Sequence, residues 1–235
     1  MIFVTWKWQG HVRYRTTFVA RHVNTMLSML TRHYHAPFEL VCITDDPKGL
    51  DSAVRYIPLW DTFAGLISPH GGVGPACYRR LRAFSREMAD VIGSRFTSID
   101  LDTVLVDDVT PLFTRTEDFL IYRHQHRKTP YNGTLWTMNA GAREQVFTKF
   151  DPRVSPALAK KAGFQGSDQA WISYILGPDE AGWSAADGVC AFRTDVRQKN
   201  YSIPKGARIV SFHGSDDPWA PHARRIAPWV EEHYR

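Results

Sequence analysis

Thr97-Ser98-Ile99-Asp100-Leu101-Asp102-Thr103-Val104-Leu105-Val106-Asp107-Asp108 is the stretch on which the reading of this chain turns. The run Arg95 to Ile99 is strand-like and ends in Asp100-Leu101-Asp102, and a second apolar run, Thr103 to Val106, follows at once. Two carboxylates two residues apart on extended backbone return to one face. Their apolar flanks set them at the edge of a core rather than on a solvated loop. Carboxylates paired at a buried strand end repel each other unless something positive lies between them. Oxygen-only ligation suits Mg²⁺ or Mn²⁺, with substrate phosphates completing the shell. One reading is therefore a divalent metal that holds a diphosphate. The other is a polar turn after a strand. That plainer reading suits Asp107 and Asp108, with Val109-Thr110-Pro111-Leu112-Phe113 packing back behind them.

Outward from this stretch, strands and helices alternate. Met1 to Thr5 reads as a strand, followed by a polar, aromatic loop from Trp6 to Arg15. Val19, Val23, Met26, Leu27 and Leu30 recur at helical spacing and predict a helix over Phe18 to Tyr34, closed by Pro37. Phe38 to Thr44 is an apolar strand that stops at Asp45-Asp46-Pro47, and Val54 to Pro58 is a short strand. Gly65 to Pro75 is a glycine-rich loop, and a helix from about Ala76 to Val91 leads into the strand before Asp100. This order predicts an α/β fold with a parallel, doubly wound sheet, the second half of the chain being mixed. Ligands on such sheets bind outside the carboxyl ends of the strands. Three of those ends carry polar clusters, Thr5-Trp6-Lys7, Thr44-Asp45-Asp46 and Asp100-Leu101-Asp102, which should converge on one crevice.

In the second half, Asp118–Tyr122, Leu135–Asn139, Val189–Arg193 and Ala207–Phe212 read as strands, and Ala140–Phe150 and Ser167–Leu176 as helices. No boundary divides the chain, so residues 1–235 are expected to form a single domain. Hydrophobic residues at 43% are ample for one core. No apolar run reaches the roughly 18 residues a membrane span needs, and the first residues carry no basic, then apolar, secretion signal. The three cysteines, Cys42, Cys77 and Cys190, are scattered without a C-x-x-C, which argues against a structural zinc site or a disulfide framework. A reducing, cytoplasmic setting is expected, with peripheral attachment at an inner membrane surface as the variant of it. The net charge of +5 suits an anionic partner but also plain solubility, and chooses neither.

Four further motifs carry chemistry. His213-Gly214 follows a buried strand, where an imidazole can reach a metal or serve only as a structural residue. Gly166-Ser167-Asp168-Gln169 opens a helix. Ser167 or Asp168 is a sound N-cap, and Asp168 and Gln169 can instead face the crevice and touch a polar substrate. Tyr78-Arg79-Arg80-Leu81 offers a planar fork for a diphosphate, with one of its arginines left to solvent. Asn132-Gly133-Thr134 before an apolar run is by itself a turn signal.

Taken in order, D-L-D-T-V-L-V-D-D, N-G-T, G-S-D-Q and F-H-G-x-x-x-P-W resemble the nucleotide-sugar-dependent glycosyltransferases of the GT-A fold, particularly family 8 and its small bacterial relatives. The resemblance spans Met1 to about Trp219 and implies a mixed, mostly parallel central sheet flanked by helices. It implies a Mn²⁺ (or Mg²⁺) ion held by Asp100, Asp102 and His213, and a donor that is a UDP-sugar, with Asp100 shared with the ribose. It implies Arg80 and Asn132 near the donor, Gly214 beside the diphosphate, and Asp168 and Gln169 as the catalytic pair beside the donor sugar. Thr5, Lys7 and Tyr14 fall where such chains hold the nucleotide, and Asp45 where the base is read. The implied reaction moves a sugar to an acceptor hydroxyl with retention; the acceptor could be a glycan, a lipid-linked saccharide, a protein or a modified nucleic acid. One position departs from the pattern: Asp217 stands where family members carry a Lys before the last Pro-Trp, and Arg79, Arg224 or Arg225 would have to compensate. Two rivals remain. A catalytically inactive nucleotide-sugar binder would explain Asp217. A sugar-nucleotide pyrophosphorylase would need a glycine-rich signature after the first strand, which Thr5 to Gly10 lacks.

Overall fold

The structure is a computed structural model that describes residues 1–9, 17–71, 76–123, 128–213 and 216–235. Its strands are β1 (Ile2–Lys7), β2 (Glu39–Thr44), β3 (Val54–Pro58), β4 (Arg95–Ile99), β5 (Thr103–Leu105), β6 (Phe119–Arg123), β7 (Tyr131–Asn139), β8 (Gly182–Trp183), β9 (Val189–Ala191) and β10 (Ile209–Ser211). The helices are α1 (Ala20–His33), α2 (Met88–Val91), α3 (Gln145–Thr148), α4 (Ser155–Lys161), α5 (Asp168–Leu176), α6 (Pro221–Ile226) and α7 (Trp229–His233).

The main sheet has seven strands in the order β3-β2-β1-β4-β7-β6-β8. The pairs β3/β2, β2/β1, β1/β4 and β6/β8 are parallel, while β4/β7 and β6/β7 are antiparallel. The expected mixed, mostly parallel sheet is therefore present. β2 lies on one side of β1 and β4 on the other, so the chain reverses direction across the sheet between β1 and β4. A crevice opens at such a switch point, and the D-L-D turn leaves β4 there.

Both faces of the sheet are buried, which explains why the central strands read as near-continuous apolar runs. Alternate residues serve opposite layers. Phe3, Leu40, Cys42 and Leu120 pack with α1 and the segment Val189–Tyr234 on one face. Val4, Val41, Ile43, Phe119 and Ile121 pack with Tyr78, Phe84, Trp136 and Trp171 on the other. Each such large side chain contributes about 1.5–3 kcal/mol by leaving water.

A second, three-stranded sheet of order β5-β10-β9 stands beside the first. It was not expected, because β5, β9 and β10 are each only three residues long. β10 pairs antiparallel with β5, matching Ser211 to Thr103, so the end of β10 lies alongside the D-L-D turn.

Three expectations about helices and strands are corrected. Cys77–Phe84 is a 3₁₀ helix rather than α, and only Met88–Val91 continues as α2. Tyr78, Leu81 and Phe84 are buried at a spacing of three, the period of a 3₁₀ turn. Ala140–Phe150 is mostly turn, with α3 as its only helical piece, and α4 was not anticipated. The strand expected over Val189–Arg193 stops at Ala191 and passes into a π-turn, Phe192–Val196. In addition, Asn132-Gly133-Thr134 is not a turn but the interior of β7, which starts four residues earlier than expected.

Candidate active site

The D-L-D turn is gripped along its backbone. The Asp100 N–H donates to the Thr134 carbonyl at 2.9 Å, the Leu101 carbonyl accepts from the Tyr234 hydroxyl at 3.2 Å, and the Asp102 carbonyl accepts from the Phe212 N–H at 2.9 Å. Thr134 continues the β4/β7 register, in which Ile99 pairs with Leu135. Opposite β6, β7 is irregular: Tyr122 pairs with Asn132, but Ile121 pairs with Trp136. The extra residues form a bulge, which bends the strand and re-aims its groups beside the site. Asn132, 8% exposed, stabilises the bulge by accepting the Thr134 N–H through its side-chain oxygen at 2.9 Å.

Arg80 reaches this place from the 3₁₀ helix and is 5% exposed. Its Nη1 lies 2.7 Å from Asp100 Oδ1, its Nε lies 3.1 Å from Asp168 Oδ2, and its Nη2 donates to the Gly133 carbonyl. The guanidinium also sits 5.9 Å from the centre of the Trp6 ring, whose indole N–H donates to Ser98 at 2.9 Å and ties β1 to β4. A side chain at Gly133 would crowd its neighbours. A Cβ there would lie 3.3 Å from Asp168 Oδ2 and 3.4 Å from Arg80 Nη2.

Asp168 begins α5 and is buried, with its Oδ1 accepting from Ser167 at 3.2 Å. Ser167 precedes the helix but makes no side-chain cap, so the plain N-cap reading of Gly-Ser-Asp-Gln fails and Asp168 is spent on Arg80 instead. Gly166, at φ +100°, lets the chain turn tightly before α5; a Cβ there would lie 2.7 Å from Cγ of Gln169. Gln169 donates to the Gln165 carbonyl at 3.2 Å and lies at the mouth.

Electrostatics follow from this geometry. Burial pushes the Asp100 carboxyl up to about 6; Arg80 pulls it down, and the neighbouring Asp168 charge adds to the rise. Burial opposes the charge on Arg80, but Asp100 and Asp168 outweigh it and hold the guanidinium protonated. The Cys77 thiol, also on the wall, is pushed up to about 12 by burial and stays protonated.

These groups line one cleft of about 560 Å³. Arg80, Asp100, Asp102, Asn132, Asp168, Gln169 and His213 all face it, so the structure brings together seven of the residues singled out in the sequence. Arg193 and Thr194 of the π-turn form part of the wall as well. Sequence reading missed them because Arg193 looked like the end of a strand, and only the tertiary fold turns that segment inward. Lys7 and Asp45 do not join this cleft. They line a second pocket of about 360 Å³ at the ends of β1 and β2, with Gln9, Phe18, Val19, Arg21, Asp46 and Lys48. Asp45 accepts the Gln9 N–H there at 2.9 Å. Thr5 is fully buried in β1 and lines neither opening. Tyr14 and Gly214 lie outside the described residues. Asp217 is 7% exposed, so it is part of the packed interior rather than a solvent-facing gap left by a missing Lys. Of the proposed substitutes, Arg224 is engaged with Glu231 at 3.5 Å and the Pro218 carbonyl, and Arg225 with His222.

The donor set Asp100, Asp102 and His213 has the chemistry of a Mn²⁺ or Mg²⁺ site. In the present side-chain positions Asp100 is turned to Arg80. Among the described residues no three His, Cys, Asp or Glu side chains are gathered closely enough to hold an ion.

The sheet order and the switch-point cleft define the GT-A fold, the architecture of a large class of glycosyltransferases. No family model matches the chain, and no curated protein matches it in sequence. Solved structures match it in shape. The galactosyltransferase LgtC, solved in complex with donor and acceptor sugar analogs, superposes with a TM-score of 0.62 at 14% identity, over 99% of this chain and 96% of LgtC. An active-site mutant of LgtC gives 0.60 at 15% identity, over the same shares of the two chains. The apo form of the glycosyltransferase GlyE of Streptococcus pneumoniae TIGR4 gives 0.59 at 13% identity, over 98% of this chain and 59% of GlyE. At these identities the likeness establishes the fold. No helix among the described residues is long and apolar enough to cross a membrane.

Proposed function

We propose that this protein is a metal-dependent glycosyltransferase that moves a sugar from a nucleoside diphosphate sugar, a UDP-sugar in the first instance, to an acceptor hydroxyl with retention. The observation that carries the reading is the meeting of the D-L-D turn with the buried Arg80–Asp168 pair in one cleft at the switch point of a GT-A sheet. LgtC, which shares the fold, is described with donor and acceptor sugar analogs bound. The cleft volume is within the usual range for small-molecule sites. The second pocket, lined by Lys7, Asp45 and Lys48, would take the nucleoside, and the cleft would take the diphosphate and sugar.

In this reading Asp100, Asp102 and His213 would hold the ion. When bound, the ion neutralises charge developing on the leaving diphosphate. The chain's own residues do the rest. Arg80 holds Asp168 fixed in direction. Asp168 and Gln169 orient the sugar and support the positive charge that develops at its anomeric carbon, as carboxylates do in glycoside hydrolysis. The bulge of β7 forms part of the cleft wall beside Asp168.

A nucleotide-sugar binder without turnover is the second reading, favoured by the engagement of Asp100 with Arg80. Calorimetry with UDP and Mn²⁺, with and without EDTA, tests the metal bridge: binding only with metal is expected, and equal affinity in both conditions overturns it. Slow Mn²⁺-dependent hydrolysis of UDP-sugars is expected of the enzyme, and its absence alongside tight UDP binding would favour the binder.

A further inference from the structure

Of the three grips on the D-L-D turn, two come from Thr134 of β7 and from Phe212 just after β10, which the sheets place beside the turn. The third comes from Tyr234, 133 residues away in sequence from Leu101. Tyr234 is 5% exposed, and its ring meets Trp219 at 5.8 Å. Trp219 in turn stacks on His22 of α1 at 4.1 Å with 21° between the planes. The helix that delivers Tyr234 is itself tied down from two sides. Arg32 of α1 donates to the His233 carbonyl at 2.6 Å and to the Arg235 carbonyl at 2.7 Å, and the Trp229 indole donates to the Tyr201 carbonyl at 2.8 Å. The phenol is thus fixed before it meets the turn. It touches the peptide between the two acids.

We propose that Tyr234 is a positioning residue that sets the direction of the Asp100 and Asp102 carboxylates. Leu101 is the hinge of that turn. Its side chain is 1% exposed and anchored in the core, which leaves its peptide plane as the element free to rotate. Rotation of that plane would splay the flanking carboxylates, and the hydroxyl on its carbonyl opposes it. The charge of Asp102 adds to burial in raising the Tyr234 pKa, which agrees with the proximity of the two groups and keeps the hydroxyl a donor. As a statement about donor binding the inference rests on the glycosyltransferase reading; as a statement about the turn it does not.

Tyr234→Phe removes the hydroxyl and leaves the ring. Two measurements are made on the full chain. The first is amide hydrogen exchange in the absence of any ligand. The Asp100 and Phe212 N–H groups, which close the turn on either side, are expected to exchange several-fold faster in the variant. Unchanged exchange at both would overturn the inference whatever the protein binds. The second is UDP affinity at saturating and limiting Mn²⁺, expected to weaken about five- to tenfold, as for loss of one buried hydrogen bond. Faster exchange in a protein whose wild type binds no UDP would leave the hold on the turn standing and remove the glycosyltransferase reading. Faster exchange with unaltered UDP affinity would reduce Tyr234 to a structural residue and overturn its positioning role. Trp229→Phe is the control: it loosens the same helix but keeps the phenol. It should lower the melting temperature without shifting UDP affinity, and an equal loss in both variants would assign the effect to helix docking and sink the proposal.

Discussion

The two openings at the carboxyl ends of the strands are built on opposite plans. In the larger cleft the central charges are answered within the protein: buried Arg80, with a side chain 6% exposed, faces Asp100, buried Asp168 and the Gly133 carbonyl. In the pocket over β1 and β2, Asp45, Asp46 and Lys48 stand in solvent at strand and loop ends, with only Lys7 buried among the charged groups. Burying a charge is tolerable only when partners compensate its lost hydration. Loss of a partner in the first opening is therefore costly, and in the proposed reading that opening takes the chemistry. The second stands largely in solvent, and in the proposed reading it takes the nucleoside.

The sharpest way to break this contrast is at the proposed metal ligands. Asp102→Asn and His213→Ala should each lower Mn²⁺-dependent donor hydrolysis by about a thousandfold or more, since several kcal/mol of leaving-group stabilisation is lost. Circular dichroism should show the fold intact. Wild-type rates in either variant would remove that residue from the ligand set.

Next in size is Arg80→Met. It leaves two carboxylates facing each other in a buried wall, which should cost about 3–5 kcal/mol, a fall in melting temperature on the order of 10 °C for a chain of this length. Lys48→Ala in the other pocket should stay within about 0.5 kcal/mol. Similar costs for both, read by urea unfolding, would erase the distinction between the two openings.

The pocket over β1 and β2 has its own buried titratable group close by. His22 is 4% exposed, stacked on Trp219, and accepts the Val19 N–H at Nδ1. Burial, with help from Arg21, lowers its pKa from 6.5 to about 4. The unfolded chain then binds more protons than the folded one between these values, so stability present above pH 6.5 is lost as pH falls toward 4. The loss should approach about 3 kcal/mol, and His22→Gln should remove that part of the slope. A slope unchanged in the variant would assign acid sensitivity elsewhere.

The smallest expected effect tests the packing of the cleft wall. Gly133→Ala puts a methyl against Asp168 and Arg80, and they must give by a few tenths of an ångström. Stability should fall by about 1–2 kcal/mol, with a disproportionate loss of donor hydrolysis because Asp168 is displaced. Full activity would mean that the direction of Asp168 is not critical.

The sequence carried much of this legibly. The strand leading to Asp100, the two polar strand ends at Thr5-Trp6-Lys7 and Thr44-Asp45-Asp46, and the α/β order follow from local pattern, since side-chain periodicity is a property of neighbouring residues. Choosing Arg80 over Arg79 did not: both have the same chemistry, and only the 3₁₀ turn places Arg80 over Trp6 and toward Asp100. Nor could Asn132-Gly133-Thr134 be separated from an ordinary turn, because its bulge exists only against β6.

What the sequence determined by itself, then, is the set of groups: the acids of the D-L-D turn, the imidazole after β10, the arginine and the Asp-Gln pair, and a sheet to carry them. The tertiary structure alone decided how they divide. It sent Lys7 and Asp45 to a second pocket, buried Asp217 in the interior, turned Arg193 into the cleft, and brought Tyr234 onto the Leu101 carbonyl. The reason is physical. A residue's chemistry and its local backbone preference are written in a few neighbouring letters. Its burial, and therefore its charge state and its partners, depend on distant chain segments that meet it only when the core closes.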